Sequence, residues 1–451
     1  MSVHLSWERR VRVRRYLHHA IWPIPFAFVV AGTVAGIVLP RLERVYFPDA
    51  FPMGFGAGAA TTLLGSFATG LITVIGLAVS IAIAGLTFGS SSLTPRIIAQ
   101  WQQSQALRVI TGTLLMSVIY AFLVLQEVAP RDDPDFVPDL SVWLVVTLLV
   151  VDMFALLILV RVMTRLMRFA DVLDDLHRRG RRVVETLYPD ELNEGEVGAV
   201  QPTPTEPARV VYGERAGVVA SIDSHAIATE ATRLGITIEL VPVVGEYVGL
   251  GTPFFRVWPA DVALGTKALE HTVAVSDERT ITQDPLFAMR LLTDIGIRAL
   301  SPAVNDPTTA VQALDRIDDL LRRVARRQLT IGTVRDAEGR VLFHMRTPTW
   351  DEFLEVGITE FRQYGETSSQ VLRRLRALLE GLLAHAPEVR WESIRKQLVL
   401  LDASVARGFP DDAEQRLVAI PDVNGLGGAV RTDRRQADGG PLTLDRSEIS
   451  G

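Results

Sequence analysis

The sequence predicts an α-helical transmembrane domain of four spans, followed by a cytoplasmic α+β domain with a small β-module and a helical C-terminal part. Of the 451 residues, 48% are hydrophobic, and the mean hydropathy is +0.24. These values are high for a soluble chain of this length and therefore indicate membrane spans. Four apolar segments have about the 20 residues that a helix needs to cross a bilayer. After the fourth segment a charged, helix-like stretch and a Pro/Gly/Glu linker follow, which predicts a separate second half.

The four predicted spans must be helical, because lipid offers no partner for unpaired backbone groups. They cover residues 21–39, 61–88, 109–127 and 142–160, within a transmembrane domain of residues 1–162. Arginines are concentrated before the first span, between the second and third spans, and after the fourth. The positive-inside rule therefore predicts that both termini are cytoplasmic.

The predicted cytoplasmic half divides into four segments. Residues 163–208 are expected to form a helix that leaves the membrane and a Pro/Gly/Glu linker. Residues 209–260 are rich in Val, Ile and aromatic residues, which predicts the β-module. Its G-x-x-V-x-x-G-x-P segment at 245–253 is similar to half of the barrel-sandwich hairpin of biotinyl and lipoyl carriers, but no Lys is near for a covalent cofactor. Residues 261–421 are predicted to be helical, and residues 422–451 to be a disordered tail.

Composition excludes several classes of function. The chain has no Cys, so it contains no disulfide, thiolate nucleophile or Cys-ligated metal. A net charge of −6 does not favour a nucleic-acid partner. No nucleotide-binding or hydrolase signature occurs in a suitable context, and the His residues lack the spacing of metal ligands. We therefore expect no enzymatic activity, no cofactor and no metal site.

The second predicted span carries a polar stripe, within a stretch from residue 50 to 95 that has no charged residue. The members recur at the steps of a single helix face and are Ser66, Thr69, Thr73, Gly76, Ser80 and Thr87. Such a stripe is typical of close packing between helices, since small residues let backbones approach. It is also typical of a pore face, where hydroxyls line a water-filled path in a symmetric oligomer. Both interpretations are compatible with a homo-oligomer.

Asp152 lies near the middle of the fourth predicted span. A carboxylate at that depth costs roughly 2.5–3.5 kcal/mol or more, so its side chain is expected to face protein or water. No basic residue lies at matching depth, and Ser117 and Tyr120 of the third span are the nearest predicted partners. Asp152 is therefore either a protonated acid that holds helices together or a proton or cation site.

The motif SPAVNDP joins two predicted helices in the cytoplasmic half. Asp284–Pro285 and Asp306–Pro307 each place an N-cap acid before a Pro at the first helical position. Capping accounts for only part of the motif, whose candidate binding or interface residues are Arg298, Ser301, Asn305 and Asp306. The turn is therefore either a structural corner, or a site that binds a cation or phosphate or contacts a neighbouring subunit.

Four strings together resemble one family. They are ALSPAVNDPTTA, ERTITQDPLFAMRLLTDIGIRALSP, SSSLTPRIIAQW and FLEVGITEFRQYG. They are similar to the bacterial membrane-protein family catalogued as domain of unknown function 2254, over nearly the whole chain. The resemblance implies a multi-span protein of the bacterial inner membrane. It implies no activity and no catalytic residues.

Two functions from different classes remain. The first is an oligomeric channel or transport-type protein, in which the second span lines the path and the cytoplasmic half regulates it. The second is a membrane-anchored sensor or scaffold without transport activity. The polar stripe and Asp152 favour the channel. The expected partners are the lipid bilayer, further copies of the chain and ions.

Overall fold

The computed structural model describes residues 22–46, 54–92, 105–128, 136–166, 168–192, 208–213, 215–262, 269 and 272–427. The arginine-rich segment before the first span, most of the predicted linker, and the predicted disordered tail after residue 427 lie outside these residues. Four of the described helices are long and apolar enough to cross a membrane, as the sequence predicts. They are α1 Pro23–Tyr46, α2 Ala57–Ser92, α3 Gln105–Gln126 and α4 Asp139–Leu166.

Helix α3 is the central member of this bundle and contacts the other three helices. Its packing against α1 is close because glycines lie at the crossing. A Cβ atom at Gly36 would lie 2.8 Å from the Cβ atom of Leu123, and one at Gly112 would lie 3.0 Å from the ring of Phe28. Replacing either glycine would therefore push α1 and α3 apart.

The half of the chain after α4 begins with α5 Phe169–Leu187, which the sequence predicts as a helix leaving the membrane. Its apolar residues belong to the same core as the later helices. A Cβ atom at Gly180 would lie 3.0 Å from Ala288, which shows how closely α5 approaches α7. The later helices are α6 Ser224–Leu234, α7 Pro285–Ala299, α8 Pro307–Ala325, α9 Trp350–Leu354, α10 Glu360–Tyr364, α11 Ser369–His385, α12 Trp391–Gly408 and α13 Asp412–Val418, with a π-helical segment Glu355–Thr359 and a 3-10 turn Glu388–Arg390.

Two sheets accompany these helices. A five-stranded sheet has the order β1-β5-β3-β8-β7, with β3 and β8 parallel and the other pairs antiparallel, and a three-stranded antiparallel sheet has the order β4-β2-β6. The strands are β1 Arg209–Tyr212, β2 Gly217–Ile222, β3 Thr237–Leu240, β4 Tyr247–Val248, β5 Pro253–Trp258, β6 Val273–Ser276, β7 Thr333–Arg335 and β8 Val341–Met345.

Strands β6, β7 and β8 lie within residues 261–421, which the sequence predicts as helical. The structure therefore differs from the expected division at residue 260, because the sheets draw on both sides of it. These strands have only three to five residues each. A run this short has too few side chains to show a period. In addition, the pairing of β6 with β2 and of β8 with β3 is long-range.

The G-x-x-V-x-x-G-x-P segment forms a turn between the two sheets. Gly245 and Gly251 both have positive φ, at 91° and 76°, which explains why glycine stands there. Val248 packs inward as expected. However, β4 pairs with β2, whereas β5 pairs with β1 and β3. The segment thus connects two different sheets.

Candidate functional site

The polar stripe of α2 faces away from the protomer's own bundle. All six stripe residues are exposed, whereas Leu64 and Leu71 on the opposite face are buried against the other spans. A Cβ atom at Gly76 would meet no atom within 4 Å. Packing within the single chain therefore does not explain the stripe.

Most hydroxyls of the stripe bond to their own helix. Each donates to the backbone carbonyl four residues earlier, as seen for Thr69 (2.8 Å), Thr73 (3.2 Å), Ser80 (2.9 Å) and Thr87 (2.9 Å). These bonds satisfy the hydroxyl donors, while the oxygens keep acceptor capacity on the exposed side. The surface is therefore weakly polar without being charged.

Asp152 points into the bundle and is 3% exposed. Of its two predicted partners, Ser117 lies beside it. Neither carboxylate oxygen of Asp152 nor the Ser117 hydroxyl has a partner with hydrogen-bond geometry among the described residues. Tyr120 lies elsewhere, next to Ser141 and Glu43.

Glu43 is a buried group that the sequence did not single out. It lies in the last turn of α1, which ends at Tyr46, is 4% exposed, and caps the start of α4. Its carboxylate accepts from the backbone N–H groups of Leu140 (2.6 Å) and Ser141 (3.2 Å), and from the Ser141 hydroxyl (3.0 Å). An anion at a helix N-terminus is favourable, so Glu43 joins the first span to the fourth.

The SPAVNDP turn is built as a helix–turn–helix corner between α7 and α8. Asp306 caps α8 by accepting from the Thr309 backbone N–H at 3.0 Å, as its position before Pro predicts. Asn305 has φ of 45°, a left-handed conformation that Asn tolerates better than most residues. Its backbone N–H donates to the Ser301 carbonyl at 2.8 Å. The local backbone thus accounts for Asn305, while Arg298 and Ser301 are half-buried beside the turn.

The upstream string ERTITQDP is a joint between the sheets and the helices. The Gln283 side chain bonds both backbone groups of Ile222 in β2, at 2.8 and 3.2 Å. Asp284 caps α7 through the Phe287 N–H at 2.9 Å and pairs with Arg279, whose Nε lies 2.5 Å away. Burial raises the pKa of the Asp284 carboxyl, and Arg279 opposes that shift.

Gly245 completes this joint. A Cβ atom there would lie too close to Oδ2 of Asp284 and to Nε of Arg279. Only glycine therefore allows the turn to pack directly against this ion pair. The joint and the SPAVNDP corner occupy opposite ends of α7, which has 15 residues and is therefore about 22 Å long. The structure does not bring the two motifs into one site.

Because Asn305 has a left-handed backbone conformation, substitutions at Asn305 and Asp306 should lower stability for different reasons. Asp306→Ala should lower the free energy of unfolding by about 0.5–2 kcal/mol, through the lost cap. Asn305→Ala should lower it by about 1–2 kcal/mol, because Ala disfavours this conformation, whereas Asn305→Gly should leave it nearly unchanged. Denaturant unfolding of the full chain measures all three. If Asn305→Gly alters assembly while stability is kept, the side chain has a binding role; a fully silent Asn305→Gly supports a structural corner.

Comparisons with known proteins agree with this architecture. The family model described as "Predicted membrane protein (DUF2254)" matches residues 18–381. Uncharacterised proteins of Mycobacterium bovis and Mycobacterium tuberculosis are each 28% identical over 436 residues, covering 94% of this chain and 82% of the relative. No solved structure matches the chain. The matched range includes all four apolar helices and most of α11.

Proposed function

The chain belongs to the family of predicted membrane proteins described as DUF2254, and we propose that it acts in transport across the bacterial inner membrane. In this proposal several copies assemble around an axis, and α2 lines a path for ions or small solutes. Both termini lie on the cytoplasmic side, and the cytoplasmic half that follows α4 regulates the path. No enzymatic step is part of the proposal.

The exposure of the polar stripe carries this proposal. The glycines of α1 and α3 are used in packing within the protomer, whereas Cβ atoms at Gly65, Gly70 and Gly76 of α2 would meet nothing within 4 Å. Over several helical turns, this face of α2 thus has no packing partner among the described residues of one protomer. Neutral hydroxyls on an uncharged helix are suited to lining a water-filled path.

The connection between α4 and the cytoplasmic half supports regulation. Only a short break separates α4, which ends at Leu166, from α5, which begins at Phe169. Helix α5 is part of the cytoplasmic core, and α4 packs against α2, where a Cβ atom at Gly85 would lie 3.4 Å from the sulfur of Met163. A displacement of the cytoplasmic core would therefore reach α2 through one intervening helix.

One observation favours the second candidate, a sensor or scaffold without transport. The hydroxyls of the stripe donate to carbonyls of their own helix, so they do not need water. The same face could then join copies of α2 in a dry contact, since small residues promote close helix association. In that case the spans anchor and assemble the cytoplasmic half.

Thiol accessibility separates the two candidates. The chain has no Cys, so Thr73→Cys introduces a single reactive group in the stripe. In a water-filled path it should react with a membrane-impermeant hydrophilic thiol reagent. Leu71→Cys, on the opposite face and 4% exposed in the native protein, is the matched control and should stay protected. Equal protection of both positions would contradict the path.

Conductance of the purified full-length protein in planar bilayers provides the second measurement. Thr73→Leu and Ser80→Leu should reduce the flux, because bulky apolar side chains narrow and dewet a path. Thr73→Ser keeps the hydroxyl and should preserve it. Absence of conductance across voltage, tension and pH, together with an unreactive Thr73→Cys, would establish the scaffold as the better account.

A further inference from the structure

Asp152 and Ser117 form a buried polar pair inside the bundle, away from the polar stripe. Asp152 is on α4 and Ser117 on α3, and Ser117 is fully buried. We infer that this pair is an internal proton-binding site. The carboxylate takes up one proton to become a carboxylic acid, and the new O–H group donates to the Ser117 hydroxyl oxygen.

The unsatisfied oxygens support this assignment. Both carboxylate oxygens of Asp152 and the Ser117 hydroxyl are buried without a hydrogen bond among the described residues. A buried carboxylate without partners carries the full free-energy cost of its lost hydration. A carboxylic acid is uncharged and has an O–H group that can donate a hydrogen bond to the Ser117 hydroxyl oxygen. Proton uptake therefore removes the charge and provides a hydrogen bond at the same time.

Among the described residues, the helices around Asp152 carry no charged side chain at its depth that could take the proton's place. Helix α2 contains no titratable residue. On α3, Arg108 is about 13 Å along the helix axis from Ser117, and Tyr120 lies beside Ser141 and Glu43. Glu43 of α1 caps the start of α4, about 20 Å from Asp152 by helix rise.

A metal ion fits this place poorly. Calcium takes six to eight oxygen ligands and magnesium requires an octahedral set. At Asp152 the described residues provide one carboxylate and the hydroxyl of Ser117, and no group of three His, Cys, Asp or Glu that could hold a metal occurs among them. A proton needs only the donor and acceptor that this pair supplies.

The site lies level with the part of the polar stripe around Thr69 and Thr73. At one end, the N–H of Phe55, two residues before α2, donates to Oδ1 of Asp139 at the start of α4 at 2.7 Å. At the other end, Gly85 of α2 lies against Met163 of α4. On α4, Asp152 is about midway between these two contacts. On α2, Leu71 is about midway between them, so the two residues lie at about the same level. If α2 lines a path, as proposed above, proton uptake by Asp152 changes the charge on the side of α2 that faces away from that path.

Infrared difference spectroscopy of the full-length protein in nanodiscs tests the site. Spectra recorded between alkaline and mildly acidic pH should contain a carboxylic-acid C=O band that Asp152→Asn lacks. Ser117→Ala should keep the band and shift it to higher frequency, since the hydrogen bond is lost. Asp412→Asn, at an exposed position of α13, is the control and should leave the band in place.

Two results would overturn the inference. The first is that the wild type and Ser117→Ala both lack a pH-dependent carboxylic-acid band, so that neither differs from Asp152→Asn. The second is a band that appears only when Na⁺ is replaced by a bulky organic cation, which would assign the site to sodium. A proton band without conductance leaves this site in place and contradicts only the path, so the two proposals fail separately.

Discussion

Arg374→Met is expected to lower the free energy of unfolding by about 3 kcal/mol, at the lower end of the 3–5 kcal/mol typical for removing one partner of a buried ion pair. Arg374 of α11 is buried, and its guanidinium lies 2.7 Å from Asp315 and 2.8 Å from Asp318 of α8. Without Arg374, both carboxylates face an apolar side chain. Asp318 keeps Arg322 at 2.6 Å, which limits the loss.

Denaturant unfolding of the full-length protein in detergent measures this effect. Arg340→Met is the matched control, because Arg340 is 76% exposed in its pair with Asp336 and surface pairs contribute at most about 1 kcal/mol. Arg374→Lys should lie between the two, since an ammonium group cannot reach both carboxylates with the planar fork of arginine. Equal stability of Arg374→Met and Arg340→Met would show that the cluster contributes little.

Phe361→Ala is expected to cost about 3–5 kcal/mol, as for other buried aromatic residues. Phe361 of α10 is fully buried, and its ring lies against Gly296 of α7, where a Cβ atom would be 2.1 Å from Cζ. The π-helical segment precedes this contact, and the Thr293 hydroxyl donates to the Val356 carbonyl within it at 3.0 Å. The ring and the hydroxyl thus hold the irregular segment against α7.

A double-mutant cycle tests the contact itself. Gly296→Ala alone overpacks the site and should cost about 1–3 kcal/mol. In the Phe361→Ala background the added methyl enters the cavity, so Gly296→Ala should cost clearly less or become stabilising. Residues in contact typically show interaction energies of about 0.5–3 kcal/mol in such cycles. Strictly additive unfolding free energies would mean that the two residues do not contact each other.

Features with a local cause could be predicted from the sequence. The four apolar helices are recognised by length and composition alone, because the bilayer sets both. Both helix caps before Pro are observed, at Asp284 and Asp306, since a cap is formed within three residues of chain. The helical period likewise placed the six members of the polar stripe on a single face of α2.

Features formed between distant segments could not be predicted in this way. Glu43 looks like an ordinary charged residue after a span, yet it caps the start of α4 by accepting from Leu140, 97 residues later. Gln283 bonds a strand 61 residues earlier, and β8 joins β3 across a long insertion. No local pattern marks these pairs, because the energy of each comes from burial that exists only after folding.

The polar stripe and Asp152 show the same division within one domain. The sequence by itself determined that α2 has a polar face and that α4 carries an acid at mid-depth. Only the tertiary structure decided that the α2 face points away from its own bundle and that Asp152 points into it beside Ser117. The physical reason is that periodicity specifies which residues share a face, whereas packing among the other helices decides the direction in which that face points.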